Sequence, residues 1–168
     1  MIKMKWGRKF RSERFVLLAA LLFSCVLYPS GPAQAWDVFS SSPWLAVITR
    51  FIGGVYVSVK PVQEWNSEGE TVRKIRPRDI PRGAKIIALD EAEASALGLQ
   101  RNRHENLFLL YSTVPFNREK ADFFFSDPSV LPFIAQRILT ALSQYDPLNY
   151  SYFQRRLSEF QTRLDSTV

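Results

Sequence analysis

The chain has 168 residues, 46% of them hydrophobic, with 10 Pro and 7 Gly, which fits one globular domain with a modest core and excludes a disordered majority. Its net charge of +6 suggests nucleic acid or membrane, but nearly all the excess lies before residue 36, where Lys3, Lys5, Arg8, Lys9, Arg11 and Arg14 stand against Glu13 alone. The remainder is close to neutral, which argues against a nucleic-acid partner.

The basic start runs into the apolar stretch FVLLAALLFS, Phe15 to Ser24, and then reaches Ala33-Gln34-Ala35, a small-x-small site. This order predicts an export signal over 1–35, cut after Ala35, because the apolar run falls short of the ~20 residues that cross a bilayer as a helix. Cys25, the only cysteine, follows that run in LLFSC and offers the alternative of a lipoprotein, tethered to a membrane through this residue. With the signal removed no thiol remains for a disulfide or a thiolate site. Either way the domain over 36–168 is expected outside the cytoplasm, periplasmic or secreted.

In chain order, DVFSS (Asp37 to Ser41) reads as a short strand. Ser42 then caps, and Pro43 opens, a helix PWLAVITRFI that stops at Gly53-Gly54. VYVSV, Val55 to Val59, is β-branched and aromatic enough for a strand that Pro61 ends. KIIAL (Lys85 to Leu89) and NLFLLY (Asn106 to Tyr111) are continuous apolar runs, as in strands covered on both faces. Between them Asp90 caps a short helix EAEASAL closed by Gly98. Two helices end the chain, over 129–144 and 147–165. The first carries a stripe of Leu131, Ile134 or Ala135, Ile138 and Leu142, with Pro132 tolerated in its first turn. The second is capped by Asp146, opened by Pro147, and has a narrow apolar seam of Phe153, Leu157, Phe160 and Leu164. Gln63 to Glu70 and Leu99 to Asn106 read as polar surface loops. This alternation predicts an α/β domain with a small, mostly parallel sheet flanked by helices and ending in a long helix.

Three stretches resemble the extracytoplasmic zinc- and manganese-binding proteins of bacterial metal ABC importers. FIGGVYV, Phe51 to Val57, is similar to the family's helix ending in Ile-Gly-Gly before a Val-x-Val strand. RPRDIPRGAKIIALDEAEASAL, Arg76 to Leu97, is similar to its Pro-Ser-Asp segment and following strand. SDPSVLPFIAQRILTALSQYDPLNYSYFQRRLSEFQTRLD, Ser126 to Asp165, is similar to the stretch from its Trp-Leu-Asp-Pro motif through its Asp-Pro-x-Asn-x-x-x-Tyr helix start. The resemblance implies the amino-terminal lobe of such a protein, with the last helix corresponding to the one that joins two lobes. It does not bring the metal ligands. The family's Asp-Pro-His-x-Trp-Leu-Asp-Pro aligns with Ala121 to Pro128 and puts Phe123 in place of the histidine. Its earlier Pro-His loop falls between Pro61 and Pro77, where no histidine occurs.

Zinc requires lone pairs from His, Cys or carboxylate groups. The weak candidates are His104, the only histidine, and Glu64, Glu68 and Glu70, an acidic segment without calcium-loop spacing. His104 is read as a solvated imidazole beside two arginines, and the glutamates as surface carboxylates. No bound metal or other cofactor is therefore expected, and zinc or manganese only if the inherited site survives in another form. Phe123, Phe124 and Phe125 form a candidate aromatic pocket, with core packing the plainer reading. The seam and the basic run Arg73, Lys74, Arg76 and Arg78 are candidate partner surfaces, the run also reading as a solvated face or a contact for anionic headgroups.

No catalytic constellation occurs, so no enzyme is expected. The leading expectation is an exported solute-binding-protein-like subunit related to metal import with a degenerate metal site, meeting an importer membrane subunit or a second chain. The alternative is a non-catalytic extracytoplasmic interaction module that binds no metal.

Overall fold

The structure, a computed structural model, describes residues 35–112 and 125–166. The leader, Cys25, Phe123 and Phe124 lie outside these residues. Ala35–Val168 forms a compact unit by itself.

Six strands and four α-helices are described: β1 Trp36–Ser40, α1 Pro43–Gly53, β2 Val57–Pro61, β3 Gln63–Trp65, β4 Thr71–Arg73, β5 Lys85–Asp90, α2 Glu91–Ala96, β6 Leu107–Tyr111, α3 Leu131–Tyr145 and α4 Tyr150–Asp165. The main sheet has the order β2-β1-β5-β6 and every neighbouring pair is parallel. Val38 stands opposite Val59 on one side and Lys85 on the other, which places β1 in the interior of the sheet.

The apolar runs of β5 and β6 are explained by cover on both faces. Successive side chains alternate between two cores: Ile87, Leu89 and Leu110 pack with α1, α3 and α4, while Ile86, Ala88, Leu107 and Leu109 pack with Ala94, Leu97, Leu99, Val62 and Ile80. The first core lies under three helices. The second is roofed by α2 and the connection from Lys74 to Ala84, whose Ile75, Ile80 and Ala84 turn inward.

Local chemistry sets the helix boundaries. The Ser42 hydroxyl accepts the Leu45 amide (3.4 Å), and Gly54, at φ 53°, ends α1. A single 3-10 turn, Gly54–Tyr56, then precedes β2, so the strand starts two residues later than the β-branched run suggests. Pro132 falls in the first turn of α3 as expected.

Three expectations are corrected. Gln63 to Glu70 is not a loop: it contains β3 and leads through a turn at Asn66 to β4, the two strands pairing antiparallel. Leu99 to Asn106 is a surface loop as expected, with Gln100 to Arg103, Glu105 and Asn106 exposed, but its Leu99 and His104 are fully buried against expectation. Asp146 does not cap the last helix with its side chain; a 3-10 turn, Pro147–Asn149, comes first. Its carboxylate instead accepts from Trp36 Nε1 (3.1 Å) and Asn149 Nδ2 (2.8 Å), fastening the α3–α4 corner to the start of β1.

Candidate functional site

In an open parallel sheet, ligands bind in the crevice outside the carboxyl ends of the strands, at the point where the strand order reverses. Here that point lies between β1 and β5. The residues leaving β1 are Ser40, Ser41 and Ser42, all buried, and β5 ends at Asp90, which is 4% exposed. Asp90 Oδ1 accepts the Glu93 amide (2.7 Å) and so caps α2. The Glu93 carboxylate turns back: one oxygen accepts both the Ser41 hydroxyl (2.5 Å) and the Leu89 amide (2.8 Å). This resembles a capping box, with the glutamate accepting from the residue before the cap, and it bridges two strand ends. Asp90-Glu91-Ala92-Glu93 carries the Asp-x-x-Glu signal for the box, but the bond to Ser41 spans 52 positions and has no sequence signature.

Next to these polar groups three aromatic side chains meet. Trp44 comes from the first turn of α1, Trp65 from β3, and Phe125 from the segment between β6 and α3. Trp44 and Phe125 stack nearly parallel (5.9 Å, 6°), and Trp65 meets Trp44 edge to face (5.0 Å, 84°). Phe125 is 4% exposed and Trp65 is 40% exposed, so the cluster is sealed below and open above. The connections that follow three different strands thus present π-surfaces at the edge where this architecture takes ligands. The two tryptophans escaped sequence reasoning because only the fold brings them to Phe125.

The candidate ligands do not converge. Glu64 pairs with Lys74, Glu70 accepts from Asn66 Nδ2 (3.3 Å), and Glu68 is exposed. His104 lies in the connection to β6, at the amino end of the sheet, with Glu105 exposed beside it. The expected solvated imidazole is in fact fully buried, because the connection around Pro81 closes over it, and neither ring nitrogen has a hydrogen-bond partner. Burial first, and then the Arg103 charge, depress its pKa, opposed by a Pro81 backbone contact too loose to count as a hydrogen bond. Among the described residues no group of three His, Cys, Asp or Glu could hold a metal ion.

The apolar seam is also placed differently from a partner surface. Phe153 (0% exposed) and Leu157 (4%) sit in the first core, and Phe160 packs edge to face on Phe51 (5.6 Å, 65°). Leu164 is half-buried and lines a shallow groove with Pro128, Ser129, Pro132 and Asp165. Helix α4 therefore turns its seam onto the protein's own α1 and α3. Arg73, Lys74, Arg76 and Arg78 are exposed, with Arg73 Nη2 donating to the Ala96 carbonyl (3.1 Å).

No protein-family model matches the sequence, and no curated protein matches it. Solved structures do. A ZnuA deletion mutant with zinc bound matches with TM-score 0.62 at 18% identity, over 79% of this chain and 55% of that one. The metal-dependent lipoprotein YcdH of Bacillus subtilis matches with TM-score 0.62 at 13% identity, over 79% and 53%. The laminin-binding protein Lbp of Streptococcus pyogenes matches with TM-score 0.60 at 16% identity, over 79% and 53%. The chain spans about half the length of these structures, and at such identities the likeness is one of fold. That fold agrees with the one implied by the resemblance read from the sequence.

Proposed function

We propose that the protein is an exported solute-binding-protein-like subunit related to zinc and manganese import, with a degenerate metal site of its own. The observation that carries this reading is the Trp44–Trp65–Phe125 cluster at the carboxyl edge of the sheet. Aromatic rings offer no lone pair to zinc, whose ligands are nitrogen, sulfur or carboxylate oxygen. The fold neighbours that are zinc-bound or metal-dependent support the lineage. The partner would be an importer membrane subunit or a second chain that supplies the missing donors. Export, with the leader cut after Ala35 or lipidated at Cys25, rests on the leader sequence.

The test is calorimetric titration of residues 36–168 with zinc and with manganese, read beside the melting temperature. A ligand that binds only the folded state raises it, by about 2.7 kcal/mol of stability at a hundred times its Kd. No heat and no shift is expected. Micromolar binding with a raised melting temperature would refute the degenerate site.

A second reading, an interaction module that binds no metal, is favoured by the β3–β4 hairpin. It leaves Trp65 and Val72 exposed at 40% and 38%, and the neighbour Lbp is described as laminin-binding.

A further inference from the structure

Two connections lead into the amino ends of β5 and β6. The first, Lys74 to Ala84, crosses the sheet face and reaches its amino edge at Gly83; the second runs from Leu99 to Asn106. They are fastened to one another. Asn106 Nδ2 donates to the Gly83 carbonyl (3.0 Å), the Ile86 amide donates to the Asn106 carbonyl (3.0 Å), and Ile80 shares a core with Leu97 and Leu99. The apolar side chains of both connections point inward, so their arginines point out. Arg78, Arg82, Arg101 and Arg103 are all exposed. Arg82, Arg101 and Arg103 form no ion pair with a described carboxylate, and Arg78 reaches Asp79 only at 3.9 Å. Glu105 and Asp79 are the opposing charges in these segments, leaving the edge positive.

The same edge receives the chain. Because β1 runs parallel to β5 and β6, Ala35 and Trp36 lie at the end of the sheet where these connections lie. The sequence before Ala35 contains the apolar run Phe15 to Ser24 and Cys25. A fully extended Val26 to Ala35 reaches at most about 35 Å. Where that segment is retained, any attachment to a bilayer joins the domain at this edge and not at the aromatic cluster. Basic segments next to a membrane attachment are drawn to anionic lipid within about a Debye length.

We propose that the amino edge of the sheet, through Arg82, Arg101 and Arg103, docks on anionic lipid headgroups and turns the carboxyl-edge site away from the membrane. The inference is independent of whether a metal is bound.

Vesicle co-sedimentation tests it, using residues 36–168, a compact unit in itself, since the apolar leader would carry the full chain to any bilayer. Phosphatidylcholine vesicles are compared with vesicles in which one third of the lipid is phosphatidylglycerol, at about 0.1 M and about 1 M salt, where the Debye length falls from ~10 Å to ~3 Å. Binding is expected only to the anionic vesicles and only at the lower salt. Each basic residue near such a surface counts about fivefold, so Arg82→Gln with Arg101→Gln lowers the partition coefficient by about 25-fold. Lys74→Gln with Arg163→Gln, the same charge change away from this edge, lowers it by less than about threefold. Melting temperatures confirm that the variants fold. Equal binding to neutral vesicles, no binding to anionic ones, or equal losses from the two double variants would each overturn the proposal.

Discussion

Phe153→Ala tests whether the last helix belongs to this fold or to an interface. Phe153 is fully buried in the first core, meeting Tyr152 (6.0 Å, 77°) and Tyr56 (6.5 Å, 90°) edge to face. Truncation to Ala removes on the order of 100 Å² of buried apolar surface, or about 2.5 kcal/mol at ~25 cal/mol per Å². The cavity left among α1, α3 and α4 adds to this, giving a loss of about 3–5 kcal/mol. Urea unfolding followed by tryptophan fluorescence reads it as a lower midpoint at unchanged slope, with sedimentation showing an unchanged association state. Leu164→Ala, at the half-buried end of the same seam, costs about 1 kcal/mol or less. A loss below about 1 kcal/mol for Phe153→Ala, or a change of association state without one, would refute the packing argument and return the seam to the role of a partner surface.

Gly54→Ala is expected to cost about 1–3 kcal/mol by the same assay, because φ is 53° there and an added Cβ would lie 2.1 Å from the Tyr152 hydroxyl. The folded protein holds the His104 pKa below its ordinary value, so the folded state binds fewer protons than the unfolded one. Stability therefore falls as pH drops from about 6.5 toward the depressed value, and His104→Leu is expected to flatten that limb of a melting-temperature profile against pH. Burial raises the Tyr145 pKa, so the contribution of this group is intact below pH about 10 and lost above it. Phenolate absorbance is expected to show one tyrosine ionising only on alkaline unfolding, a step that Tyr145→Phe abolishes. Its hydroxyl lies 2.8 Å and 2.7 Å from the Ile86 and Asn106 carbonyls and can donate to one at a time, so Tyr145→Phe also costs about 1 kcal/mol at neutral pH.

The alternation of short apolar runs with capped amphipathic segments was enough to read an α/β domain, because Ser42-Pro43, Gly54, Asp90 and Pro132 act within one or two turns of their own position. The three motif stretches pointed to a solute-binding fold, and the solved structures agree with it. Other features depend on what a residue meets far along the chain. His104 is in a polar stretch, yet it is buried because the connection around Pro81 and the loop after Leu99 share one core. The seam of α4 has the spacing of an interface helix, and its fate was decided by α1 and α3, which present apolar faces to Phe153 and Leu157. The Glu93 bridge to Ser41 and the meeting of Trp44, Trp65 and Phe125 join segments tens of residues apart. The sequence by itself determined the four strands of the main sheet, the four helices and their order, but not the β3–β4 hairpin, since local hydrogen bonding and side-chain periodicity are strong in the former and weak in a three-residue strand. Only the tertiary structure decided which faces are covered and which side chains share the carboxyl edge, because burial and long-range contact are properties of the packed sheet and not of any one segment.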